Sequence, residues 1–363
     1  MTSVLRRGGS AVAFTWNNAY LDEEFLAALA AHRFRSIERA ASEEVSFGWV
    51  TPGDPSGETF ARDDVASAGT SVRLRFRMDA KKFPASKLQM ERASAERAKG
   101  RRLSARERRE LKAGLHEQLL PGLLPRTQLV DVIAEGDRCL LLSSSRAARD
   151  VFTKLCHESF GFRPERLTSG ALAGQMLTSE QVAKLATTKF PGRSPRQLEN
   201  GNADFLGDEF LLWIWWNWAT NGGEIDLGKG KEVGVVIDDR IEFAAANDET
   251  SLVLRHGLTA RCQEALSALQ QGRIPTRMRM ILAEPGKSWT VTLDGATLAL
   301  GSAKLPEDAD LCESAEDRNV DRSGNWRQLQ GTVEGMFSLF LEERTRGWKK
   351  ISDQIARWMG GAS

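Results

Sequence analysis

Cysteine and histidine are scarce, at four residues each in a chain of 363. Cys139, Cys156, Cys262 and Cys312 form no CxxC pair and have no histidine at ligand spacing, which excludes a zinc ribbon and points to reduced thiols in a cytosol. His32, His116, His157 and His256 are equally scattered, and no HExxH, GxSxG or GxxxxGK[ST] occurs. No apolar run approaches the roughly 18 residues that a membrane helix needs. The opening MTSVLRRGGS has no apolar core of the kind a signal peptide carries. Low-complexity sequence and fold-scale repeats are absent. These absences lead to an expectation of a cytoplasmic protein with no membrane contact, cofactor, metal or catalytic constellation.

What the chain does have is an uneven distribution of charge. Between Arg73 and Lys112 stand fifteen Lys or Arg against five acids, a net +10, whereas the whole chain carries +1. The remainder is therefore acidic, at −9, and a polyanion is the expected partner of the basic stretch. Within it, Arg73, Arg75 and Arg77 alternate with Val72, Leu74, Phe76 and Met78, the period of a half-buried strand with three guanidiniums on one face. With no acid between them they repel one another, which a phosphate backbone would relieve. Lys81-Lys82-Phe83-Pro84 breaks the strand. Ser86-x-x-Gln89 reads as a capping box opening a helix that Gly100 stops. Ser104-x-x-Glu107 opens a second helix, with Leu111, Leu115 and Leu119 on one expected buried stripe, Arg101 and Arg102 in the turn before it, and Pro121 after it.

The pattern predicts an α+β fold with mixed or antiparallel sheets and a protruding basic helical hairpin over residues 84–120. An N-terminal α+β region is expected over 1–168. It contains strands at 10–16, 33–39, 127–134 and 138–142 and helices at 21–31 and 146–159. Residues 169–235 read as a Trp-rich linker or subdomain broken by PGRSP at 191–195. Its FLLWIWWNW at 210–218 fits a buried helix or strand better than a membrane or stacking element. Residues 236–363 read as a second α+β region. It has strands at 232–237, 240–244 and 251–255, a helix at 259–271 and a meander over 276–300. An acidic loop at 306–321 precedes terminal helices from 326 to 359 that break at Gly347.

A second basic cluster falls at strand–helix junctions: Arg255 and His256 before the helix, Arg273 and Arg277 after it, with Arg279 following. Junction cations at neighbouring strand ends can grip phosphates. The paired aspartates Asp63-Asp64 and Asp238-Asp239 read as turns, and a metal-dependent nuclease built on Asp238 and Asp239 stands as the alternative.

The Phe47-Gly48-Trp49-Val50-x-Pro52 turn, the strand into Lys81-Lys82-Phe83-Pro84 and the charged hairpin ending His116-Glu117-Gln118-Leu119-Leu120-Pro121 resemble the RdgC family. So do the segment 138–161 and the block from Arg255 through the 276–305 meander. The resemblance implies an α+β, ring-forming homodimer with a basic central hole. It would bind double-stranded DNA, and single-stranded DNA as an open alternative, with little sequence preference. It would be nucleoid-associated and would antagonise RecA-promoted recombination. Carried over, Arg255, His256 and Arg277 match hole-lining positions, with Arg273 nearby. Arg73, Arg75, Arg77, Lys81, Lys82, Arg101 and Arg102 would add to that lining or to outer contacts. Leu123 and Leu124 stand where the family has an aromatic-containing loop that closes one dimer interface. The chain is also longer than typical members. A protein-interaction scaffold with a basic docking hairpin is the remaining reading.

Overall fold

The computed structural model describes residues 4–17, 21–40, 42–54, 60–65, 71–190, 203–244, 251–257, 259–306 and 314–360. In chain order come β1 (Gly8–Thr15), α1 (Glu23–Ala31), β2 (Val45–Val50), the single turn α2 (Arg62–Val65) and β3 (Val72–Lys81). Two helices follow, α3 (Ala85–Lys99) and α4 (Ala105–Leu119), then the hairpin β4 (Pro125–Glu135) and β5 (Arg138–Leu141). Next are α5 (Arg146–Phe160), α6 (Ser169–Met176), α7 (Ser179–Ala183) and α8 (Phe205–Asn221). The rest comprises β6 (Glu224–Asp226), β7 (Glu232–Ala244), β8 (Ser251–Arg255), α9 (Gln263–Gln270), β9 (Ile274–Glu284), β10 (Lys287–Asp294), β11 (Leu300–Lys304), α10 (Ala315–Arg346) and α11 (Trp348–Met359).

The architecture is a mixed α and β fold around one large antiparallel sheet. Its eleven strands run β2-β3-β4-β5-β1-β11-β10-β9-β7-β6, with β8 also paired to β7. β1 joins the halves: Val12–Thr15 pair with β5, and Gly8–Ala11 pair with β11. Side chains alternate across a strand, so β1 serves two cores at once. Val12 and Phe14 face the smaller core with Leu74, Phe76, Val132 and Phe152. Ala11 and Ala13 face the larger one.

The Trp-rich segment lies at the centre of the larger core as α8. Every residue from Phe205 to Trp215 is buried, including Asp208 and Glu209, and Glu209 accepts hydrogen bonds from Thr188 and Arg344. Phe210 meets Phe337 edge-on at 5.2 Å, and Trp213 donates its indole N–H to Glu343 at 2.7 Å. Burial of the Glu343 carboxyl raises its pKa, which that hydrogen bond only partly offsets. The backbones of α8 and the β10–β11 turn approach so closely that a Cβ on Gly207 would stand 1.8 Å from the Gly295 carbonyl oxygen.

The structure corrects several expectations. The strand expected at 33–39 is only an isolated bridge from Arg33 to Trp49. The strands expected at 232–237 and 240–244 are one strand with a bulge, the last strand of the meander shifts to Leu300–Lys304, and α10 already begins at Ala315 inside the expected acidic loop. The first hairpin helix starts at Ala85, with Pro84 as its N-cap residue and no side-chain cap, so Ser86 lies inside the first turn and the expected capping box does not form. PGRSP at 191–195, residues 307–313 with Cys312, and 55–59 of the Pro/Gly turn lie outside the described residues. Among the described residues, no helix is long and apolar enough to cross a membrane.

Candidate nucleic-acid interface

The basic residues singled out in the sequence fall into three places. The first is β3. Its apolar residues face the smaller core, and its arginines face the other way, but they are neither exposed nor unneutralised. Arg73 and Arg75 are 6% and 3% exposed. Asp131, opposite Arg75 on β4, accepts from both guanidiniums: 3.2 and 3.1 Å from Arg73, 2.9 Å twice from Arg75. Arg75 also donates to the Pro52 carbonyl at 2.8 Å. Burial lowers the pKa of Arg73, with Asp131 opposing that shift. Arg77 pairs with the fully buried Asp79 and lies over the Phe34 ring. Lys81 is buried and donates to the carbonyls of Ala40 and Leu120. The repulsion inferred from sequence is thus cancelled by an acid from the neighbouring strand and by the strand's own Asp79, and these cations are structural. Lys82 remains exposed.

The second place is the α3–α4 pair, where no residue of either helix is buried. The Ser104–Glu107 capping box forms as the sequence indicates, and Gly100 ends α3 in the left-handed conformation, at φ 64°, that glycine adopts without penalty. Leu111, Leu115 and Leu119 do share a face, but they are only half-buried. Half of the cations pair locally: Lys87 with Glu91, Arg92 with Glu96, Arg106 with Glu110, and both Lys99 and Arg101 with Glu107. Hydrogen bonds from Arg101 and then Lys99 hold the Glu107 carboxyl well below the usual range. Arg97, Arg102, Arg108, Arg109 and Lys112 have no ion pair among the described residues. At the base of the pair, Leu123 is half-buried and Leu124 is 76% exposed.

The third place is the side of β7, β8, β9 and β10 turned away from the larger core. Arg240 sits opposite Arg255, and Glu242 opposite both Val253 and Arg277, which in turn faces Asp294. Arg277 donates to Asp294 at 2.7 Å, a bond that raises its pKa. Arg279 is bracketed by Asp238 at 2.8 Å and Asp239 at 3.4 Å, both displayed by the β7 bulge. Arg255 is exposed and has no ion pair among the described residues. His256 follows it at φ 69°, also exposed, and its backbone N–H donates to the Asp239 carbonyl. Arg255, Arg277 and, through the turn, His256 therefore share one rim. Arg273 does not: it lines a surface hollow with Ser251 and Gln271, at the far end of β8. Arg240, which sequence reading passed over, belongs to the rim, and its position opposite Arg255 was readable only once β7 and β8 were paired.

Cross-strand partners share a sheet face, and this separates the first and third places. Arg73 lies opposite Ile133, Ile133 opposite Leu140, and Leu140 opposite Ala13. Two residues back along β1, Ala11 lies opposite Leu300, which lies opposite Leu293. These apolar residues all belong to the larger core, whereas Arg277 and Asp294 stand on the reverse face. The strand arginines and the junction arginines thus occupy opposite faces of one sheet and form no common lining within the chain.

Cys139 and Cys156 are free thiols in the smaller core, their pKa values pushed up by burial, so neither has thiolate character. Among the described residues no group of three or more His, Cys, Asp or Glu is placed to hold a metal ion.

No curated protein matches this chain. A family model described as "Putative exonuclease, RdgC" matches residues 11–181, the stretch that holds β1 through α7 and includes the α3–α4 pair. That match associates the chain with a DNA-related role in recombination. Over residues 11–181 the chain is thus similar to the RdgC family, with 182 to 363 lying beyond the matched region.

Proposed function

We propose that this chain is a non-enzymatic protein that binds double-stranded DNA without sequence preference and modulates homologous recombination. The observation that carries the reading is the set of five cations on the α3–α4 pair that lack an acidic partner, within the family-matched stretch. Such cations neutralise phosphates and release counterions, which gives affinity without base readout. Arg255, with His256 and Arg240 beside it, supplies a second contact on the open sheet face. The protein acts as a homodimer that encloses DNA in the cytoplasm, at the nucleoid, and by occupying the duplex it opposes RecA filament growth.

Fluorescence anisotropy against a labelled random duplex tests this. With about six phosphates engaged, log K falls against log salt with a slope of roughly −5. A flat salt response overturns the reading. Slower release from closed circular than from linear DNA supports enclosure, and a single-protomer mass in solution excludes it.

The word exonuclease in the family description favours a second reading, a nuclease, although Asp238 and Asp239, the carboxylates that a metal-dependent nuclease would use here, lie outside the matched residues 11–181. Both carboxylates already bracket Arg279, which would have to be displaced before a cation could bind there. Mg²⁺-dependent shortening of end-labelled DNA, lost in Asp239→Ala, would establish that reading.

A further inference from the structure

The α3–α4 pair carries a feature that phosphate binding does not use. Between its two helices lies an open groove of about 360 Å³. Leu88 of α3 and Ala105 and Leu111 of α4 give it an apolar lining, which Arg92, Arg108, Arg109 and Lys112 complete with four cations. The spacing accounts for the shape. Leu88 and Arg92 stand at i and i+4 on α3, and Ala105, Arg108, Arg109 and Lys112 at i, i+3, i+4 and i+7 on α4, so each helix contributes one stripe. The α4 stripe covers two turns, about 10 Å at helical rise.

The two helices are tied together at the turn over 100–104. Leu103 is 6% exposed there and donates its N–H to Glu96 at 3.1 Å, and Glu107 holds both Lys99 and Arg101. In the groove, by contrast, Leu88 and Leu111 are only half-buried and Ala105 is exposed. An amphipathic helix pair ordinarily closes its apolar stripes against a third element, and this pair leaves that place open.

The chemistry of the groove selects its occupant. A phosphate backbone satisfies the cations but gains nothing from the three apolar side chains, which only another apolar surface takes out of water. A helix with an apolar stripe flanked by carboxylates matches both parts. Its leucine or phenylalanine side chains reach Leu88, Ala105 and Leu111, and its acids meet the cations on either side. Arg92 keeps its own partner, Glu96, at 3.1 Å, so the stronger flank is the α4 side with Arg108, Arg109 and Lys112.

We propose that this groove is a docking site for a short, amphipathic, acidic helix of a partner protein. The statement does not rest on the DNA-binding reading above. Where the chain does bind duplex DNA, Arg108, Arg109 and Lys112 serve both ligands, so a docked acidic helix displaces the duplex from the hairpin.

Fluorescence anisotropy of the full chain with a labelled synthetic peptide tests the proposal. The probe has about fourteen residues. It carries leucine at i, i+3, i+4 and i+7 and glutamate and alanine elsewhere, and its control has the same composition in scrambled order. The striped peptide is expected to bind saturably and at least about tenfold more tightly than the control. Combined Leu88→Ser and Leu111→Ser should weaken peptide binding about tenfold and leave duplex binding within about twofold. Ala105→Glu places a carboxylate in the groove while keeping the hairpin folded, since an acid is favoured in the first turn of a helix. It should weaken peptide binding about fivefold, a difference that closes at high salt. A striped peptide that binds no better than the scrambled one shows that the surface reads charge alone and overturns the proposal. So does peptide binding unmoved by both the serine pair and Ala105→Glu. Equal losses of duplex and peptide binding in the serine pair would assign the groove to nucleic acid instead, and self-association that the peptide dissociates would assign it to a second copy; either overturns the partner protein. If the wild-type chain binds no duplex, the DNA reading fails by itself and the peptide titration still decides the groove.

Discussion

β3 and β9 each carry arginines at alternate positions, Arg73, Arg75 and Arg77 in one and Arg277 and Arg279 in the other, yet the fold puts the two sets to opposite uses. On β3 the Arg73 and Arg75 guanidiniums are shut in, held by Asp131 and by the Pro52 carbonyl, while Arg77, paired with the buried Asp79, is only partly covered. On β9 they lie on an open face, with Arg277 about half exposed at its side chain and its acid partners shared along the sheet. Alternation specifies that side chains share a face, but the neighbouring strands decide whether that face is closed. Asp131 lies 56 residues from Arg75, so no local pattern around β3 reveals it.

The widest test of that difference is Asp131→Ala. It leaves two buried guanidiniums without their carboxylate and is expected to cost about 3–5 kcal/mol in urea unfolding, the range seen when one partner of a buried pair is removed. Arg277→Ala on the open face is expected to cost less than about 1 kcal/mol. Comparable losses for both would mean that the two faces are not closed and open as described. The next contrast uses glycines. Gly207→Ala drives a methyl into the Gly295 carbonyl and is expected to cost about 2–3 kcal/mol by thermal denaturation, while Gly234→Ala on the open face, with its nearest neighbour at 3.7 Å, stays within about 0.5 kcal/mol.

Binding gives the third comparison. Combined Arg108→Ala, Arg109→Ala and Lys112→Ala should leave unfolding unchanged and flatten the salt slope of duplex binding by about three. A slope equal to that of the wild type would remove the α3–α4 pair from the interface. The smallest effect is one of pH. The raised pKa of Glu343 means that the native state holds this proton more tightly than the unfolded chain does. Its contribution is therefore most favourable at low pH and is lost as pH rises through the raised value. Glu343→Gln keeps an acceptor for Trp213 and should flatten that part of the stability–pH curve, with a modest gain in stability at neutral pH.

Much of the fold could be read locally. The α3–α4 pair announced itself through Gly100 and the Ser104–Glu107 box, and α5, β8, β10 and the break at Gly347 fall close to their expected bounds because caps, turns and alternation are short-range signals. What remained hidden depended on distant partners. The single continuous sheet needs β1 to pair on both edges, the three-residue bulge of β7 needs Arg279 to face Asp238 and Asp239, and the central place of α8 needs α10 and α11 around it. The candidate site divides in the same way. Arg255, His256 and Arg277 share a rim because strand ends meet there, whereas the structural roles of Arg73, Arg75 and Lys81 come from Asp131, Ala40 and Leu120, each contributed by another part of the chain.

The double duty of β1 also sets an order of events during synthesis. β1 leaves the ribosome before the other ten strands of the sheet, and its register partner for Gly8 is Lys304, close to 300 residues later. The half of β1 that pairs with β5 can settle once residue 141 has emerged, but the other half has to keep its edge free until β11 arrives. Closure over such a separation is slow, and an unpaired edge held open for that long is where a nascent chain meets its neighbours. The yield of folded protein should therefore depend on the rate of elongation through the β9–β11 region more than on events in the first half of the chain.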